Sequence, residues 1–280
     1  MAVGKPRSAP PKARSSSGKR DTVLHREQWN TESTKFIQQT SRPLMREDLL
    51  TRTRVFPVIV GIWDLGSRIG FLLNLLDKLN KAQETIQFRQ VYASIPAGLI
   101  SKPARLREWM KDEKQMLSEE DLDTLDDNII ANDYFQRAEV IRQTLGLSVL
   151  CGIVPSMIAG QDDSGIYWNH FSSESDSGRE LIVSTYEIRE FADKAGKPVE
   201  AAVAGMMVAQ LMVALNEKVG FHRESRQCFF DYNDQRTTIV DCIKACQVDE
   251  QCLNLLEPRY RSSMEALVKT ISKYRRVIQK

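Results

Sequence analysis

The chain has 280 residues, of which 42% are hydrophobic and 27% charged, and a formal net charge of +2. This is the composition of a globular protein, with length for one large domain or two small ones, and no run of about 18 or more apolar residues is present to cross a membrane. Five cysteines, an odd number, argue against a disulfide framework, and the basic start is followed by no apolar stretch that would make a secretory leader, so the expected location is cytoplasmic.

The charge is unevenly distributed. Residues 1–54 hold twelve Lys or Arg against five Asp or Glu, and the first twenty carry six bases, three Pro, four Ser and no acid. Such a stretch cannot bury enough apolar area to offset chain entropy, so residues 1–54 are expected to be a disordered basic tail. Its sharper alternative is an electrostatic hold on nucleic acid.

Order is expected from Val55. Val55-Phe-Pro-Val-Ile-Val-Gly-Ile-Trp63 is a β-branched apolar run, as in a strand buried on both faces. A helical stripe follows at Phe71, Leu72, Leu75, Leu76 and Leu79. Thr85 to Tyr92 alternates as a second strand, which makes a βαβ unit. Residues 102–135 are polar and helix-leaning, and Ser118-Glu-Glu-Asp121 fits a helix cap. The carboxylates of Asp121, Asp123 and Asp127 lack the turn Gly and closing Glu of an EF-hand loop, so they read as a solvated face.

Ala138 to Leu145 is expected to be helical, Leu147 to Val154 a third strand and Ile166 to Phe171 a short edge strand. Leu181 to Tyr186 is expected as a fourth strand, and a long apolar helix over Ala201 to Leu215 follows the break at Lys194-Ala-Gly-Lys-Pro198. Met264 to Ile278 is a terminal amphipathic helix with a basic outer face. The fold class is therefore α/β (α+β), a mixed sheet with flanking helices. Residues 55–280 are expected to form one domain, divided into a βαβ part (55–145), a central part (146–256) and a basic C-terminal helix (257–280).

The central part carries a resemblance. The apolar helix runs into Gly220-Phe-His222, then Cys228, then Cys242, Cys246 and Cys252. Ahead of it lie Cys151-Gly-Ile-Val154, the edge strand and Ile182-Val-Ser-Thr185. This order resembles the zincin metalloproteases of the archaemetzincin type, and the likeness spans about residues 147–256. In that family the helix carries HExxH, two zinc-binding His one turn apart with a Glu as base. Here the helix offers Met206, Met207, Gln210 and Met212, and the whole chain has three His: His25, His170 and His222. His222 matches the family's third His, Cys228 its second Cys and Cys252 its last Cys. Arg223 stands where the adjacent Cys would be, and Asp249 near the first position of the CxxC.

The resemblance thus implies a zincin-like scaffold without its catalytic metal. No cofactor is expected, the alternative being a structural zinc held among Cys228, Cys242, Cys246, Cys252 and His222, since Cys242 and Cys246 would share one face of a helix. Otherwise these are plain core thiols. The expected role is macromolecular binding with a protein partner, without catalysis, as a component of a prokaryotic multi-protein system. Two alternatives stand beside it. One is a hydrolase using His222 and Cys228 with Glu224 nearby, or His170 with Cys151. The other is a nucleic-acid module working through residues 1–54 and 259–280. No role at a membrane is expected. The segment Gly220 to Asp231 is expected to pin the chain where it leaves the helix, with Gly220 at a positive backbone angle and His222 beside Glu224 or Asp231.

Overall fold

The computed structural model describes residues 57–100, 125–162 and 165–275. The expected basic tail, the acidic segment around Ser118 to Asp123 and residues 276–280, where the terminal helix is expected to end, lie outside these.

The βαβ unit forms as its sequence pattern requires. Strand β1 (Val58–Asp64), helix α1 (Leu72–Ala82) and strand β2 (Ile86–Val91) follow in order, and the two strands pair in parallel. The stripe on α1 buries Leu72, Leu75, Leu76 and Leu79 against the sheet. After a short turn of helix α2 (Ala97–Ile100), strand β3 (Asn128–Ile130) leads into helix α3 (Ala131–Thr144). Strand β4 (Val149–Val154) is buried at every residue, as a central parallel strand covered on both faces must be.

Two further strands, β5 (Met157–Asp162) and β6 (Gly165–His170), form a hairpin, and β7 (Ser172–Glu174) and β8 (Glu180–Ser184) form another. Among the described residues the strands form two mixed sheets. The first has order β2-β1-β4-β8-β7, parallel except for the antiparallel edge strand β7; the second has order β3-β5-β6. β6 is an edge strand, as its sequence suggests.

Helix α4 (Ile188–Lys194) and helix α5 (Val199–Leu215) follow β8. The sequence of α5 is apolar all round, which is the signature of a helix enclosed by protein, and it packs on β7, β8, α4 and two later helices. These are α6 (Ile239–Ala245) and, after α7 (Glu250–Leu255), the terminal helix α8 (Pro258–Ser272). α8 begins earlier than its sequence pattern suggests because Pro258 occupies its first turn, where a missing N–H costs nothing. Among the described residues no single helix is long and apolar enough to cross a membrane.

One ion pair spans the core. Arg142 of α3 donates through Nε to Glu180 of β8 at 2.5 Å, with side chains 10% and 4% exposed. Burial alone would raise the Glu180 pKa, but hydrogen bonds from Ser175, Arg142 and Ser177 outweigh it and hold the carboxyl below its ordinary value of 4.5.

Candidate metal centre and adjoining cleft

The chain leaves α5 at Asn216, not at Gly220. Asn216 is extended, and its side chain donates to the Met212 carbonyl and accepts from the Glu257 N–H, tying the helix end to the start of α8. Gly220 is absent from the positions with positive φ, so the expected turn at that glycine does not occur. The loop is instead fastened by backbone pairing. The His222 N–H donates to the Phe230 carbonyl and the Tyr232 N–H to the His222 carbonyl, both at 2.9 Å. Phe221 and Phe230 meet beneath it with ring centroids 6.4 Å apart.

This loop and the start of α7 assemble four donor groups. His222, Cys228, Asp249 and Cys252 each offer one ligand atom, and these atoms all lie within 4.8 Å of one another. The ring of His222 is oriented by its other nitrogen. Nδ1 lies 2.8 Å from the Glu224 carbonyl oxygen, a partner that requires a hydrogen on Nδ1; in the neutral ring Nε2 is then the nitrogen open to a metal. Nδ1 is also 3.4 Å from Asp231, the carboxylate partner expected for this histidine. The Glu224 side chain is 81% exposed and turned to Arg226, so its contribution is its carbonyl.

Nε2 is buried and has no hydrogen-bond partner, although Asp249 Oδ2 stands 3.3 Å away. With the neutral ring, two acceptors face each other here, an arrangement that a bound cation would satisfy. Cys228 Sγ receives the backbone N–H groups of Phe230 and Asp249, both at 3.4 Å, the kind of support a metal-bound thiolate uses. In the metal-free protein the thiols are held protonated. Burial, with Asp249 adding to it, raises the pKa of both Cys228 and Cys252. One His nitrogen, two sulfurs and one carboxylate oxygen make a closed four-donor set of the type that holds structural zinc, and these residues fit the ion.

Two cysteines expected as candidates lie elsewhere. Cys242 Sγ donates to Asp231 at 3.4 Å and to Asn233 at 3.5 Å. Cys246 is the left-handed cap of α6, with φ of 51°, so the helical register that would align it with Cys242 is already broken. Asp249 takes the fourth place. It is the N-cap of α7 and accepts from the Cys252 N–H at 2.8 Å. Cys151 is sealed in the core, its thiol pushed up by burial to about 12.

Beside this centre lies a cleft of about 980 Å³. Its floor is α5, which presents Ala202, Met206, Ala209 and Gln210, and one wall is the edge strand β7. Met206 and Gln210 face the cleft one helical turn apart, and neither is a zinc ligand. Gln210 Nε2 donates to Glu174 Oε2 of β7 at 3.0 Å. Glu174 was missed in the sequence because Ser172-Ser-Glu174 has no apolar alternation to mark a strand. His170, at the end of β6, stacks on Tyr167 and lies 3.1 Å from the Tyr232 hydroxyl, on the cleft wall.

No family model and no curated protein matches the sequence. Solved structures do. The chain is similar to the archaemetzincin of Methanopyrus kandleri, at 14% identity and TM-score 0.40 over 79% of this chain and 98% of that one. It is also similar to the archaemetzincin of Archaeoglobus fulgidus, crystallised with malonate, at 12% identity and TM-score 0.42 over 71% and 99%. A zinc-dependent peptidase from Methanocorpusculum labreanum is similar at 12% identity and TM-score 0.39, over 71% and 100%. The likeness is a loose one of fold.

Proposed function

We propose that this protein is a non-catalytic binding protein on a zincin-like fold, in which a structural metal ion pins the loop after α5 and the adjoining cleft receives an extended segment of a protein partner. The observation that carries this is the cleft face of α5. That face presents Ala202, Met206, Ala209 and Gln210, none of them a zinc ligand, and a hydrolytic zinc needs about three protein ligands with an open position for water. The four-donor set beside the cleft, by contrast, has no open position. His222, Cys228, Asp249 and Cys252 would hold the ion, which when bound supplies cross-linking between the loop and α7.

The edge strand supports the rest. β7 closes the five-stranded sheet and lines the cleft along its whole length, which suits addition of a further strand from a partner. A Cys/His hydrolase fits less well. His222 and Cys228 do meet, but Cys228 is fully buried and its pKa is raised, the opposite of an activated nucleophile. For nucleic acid, residues 1–54 lie outside the described structure, and the arginines that open α8 are already paired: Arg259 with Glu257, and Arg261 with Glu250 and Glu265.

The test is a zinc-loaded protein incubated with a library of unstructured peptides, read for new termini by mass spectrometry. No zinc-dependent cleavage is expected. Cleavage lost on Met206→Leu or Gln210→Met would overturn the proposal.

A further inference from the structure

The cleft is lopsided in charge. Glu174, Asp176 and Asp234 line it, whereas Arg236, a cation on the same wall, is bound to Glu187 and lies over the Tyr186 ring. Glu174 ends the edge strand and is held by Gln210 from the middle of α5. Gln210 is 2% exposed, and its Oε1 is buried with no donor. A buried amide with one arm unsatisfied is uncommon, and on the floor of a cleft it marks the place of a donor that arrives from outside.

Glu174 is exposed at the cleft mouth, and partial desolvation by the wall still raises its pKa, in spite of the hydrogen bond from Gln210. Met206, Ala209 and Phe229 add an apolar floor against which the methylenes of a long basic side chain can lie.

We propose that the Glu174–Gln210 pair recognises an arginine side chain carried by the extended segment that lies along β7. The inference rests on the cleft being a peptide-binding surface, as proposed above. A guanidinium presents five donors in a planar fork, enough for a carboxylate and for an acceptor beside it; an ammonium is a point charge with a stronger hold on water.

The test uses blocked Ser/Ala peptides that differ only in a central Arg, Lys or citrulline, the last being a neutral isostere of arginine. They are titrated into the full, isotope-labelled chain while the resonances of β7 and α5 are followed. The arginine peptide is expected to bind about tenfold more tightly than the citrulline peptide, with lysine between. Glu174→Gln should reduce that ratio to less than about threefold. Gln210→Met should reduce it as well. Equal affinity for the arginine and citrulline peptides, or a preference that survives Glu174→Gln, overturns the inference and leaves the cleft as a peptide site. If no peptide shifts β7 or α5, the cleft proposal and the arginine proposal fall together.

Discussion

His222 Nε2 faces Asp249 Oδ2 across 3.3 Å with no hydrogen bond between them. A neutral imidazole that gives its Nδ1 proton to the Glu224 carbonyl has none to offer there. A metal ion at this point turns two opposed acceptors into two ligands, with Cys228 and Cys252 completing the set.

The first prediction is that the purified protein carries one zinc per chain and that its stability depends on it. At metal a thousandfold above Kd, binding contributes about 4 kcal/mol, which for a chain of this size moves Tm by roughly 10 °C. Elemental analysis and thermal melts with and without a chelator check this. His222→Ala and Cys252→Ala should both lose the metal and the chelator response, whereas Cys246→Ala should keep them.

The second concerns the packing of the loop on α5. A Cβ at Gly205 would meet the Phe229 ring at 2.6 Å. Alanine favours a helix by about 1 kcal/mol, but displacing a ring packed on the helix costs typically 1–3 kcal/mol. Gly205→Ala should therefore lower stability, by up to about 2 kcal/mol in denaturant titration, despite its better helix propensity.

The third is a pH dependence set by Arg142 and Glu180. Because the folded state holds the Glu180 pKa below the ordinary 4.5, its contribution is present above that value and is lost as pH falls through the lowered one. Acid titration of stability should show this loss at and below the ordinary carboxylate range. Glu180→Gln should remove that part of the slope. Glu180→Ala leaves Arg142 buried without its partner and should cost about 3–5 kcal/mol at neutral pH.

How much of this was legible in the sequence depended on what set each element. β1, α1 and β2 are marked by their own periodicity, and so are β4, β8 and α5, because each buries a face that its residues advertise. β3, β5 and β7 are not, since Asn128–Ile130 and Ser172–Glu174 are strands only through the neighbours they pair with. Within the site, His222, Cys228 and Cys252 stood out as residue types that bind metal. Asp249 was visible at the place of a cysteine, but its second role as a helix cap concealed it as a ligand. Cys242 and Cys246 misled because their spacing presumes a helix that ends in a left-handed turn at Cys246.

The fourth prediction separates binding from stability at Gln210. Gln210→Met removes a buried acceptor without a donor, worth about 1–3 kcal/mol, at the cost of one hydrogen bond to Glu174, about 1 kcal/mol. The variant should melt at or slightly above the wild-type temperature. A large fall in Tm would show that Gln210 is a structural linchpin and not a recognition group.

The most direct measurement is X-ray absorption at the zinc edge of the loaded protein. If the ion is the structural cross-link between the loop and α7, its shell contains two sulfurs at about 2.3 Å and two lighter atoms at about 2.0–2.2 Å. A shell made only of nitrogen and oxygen, with a bound water, would place the ion in an open site and contradict the account.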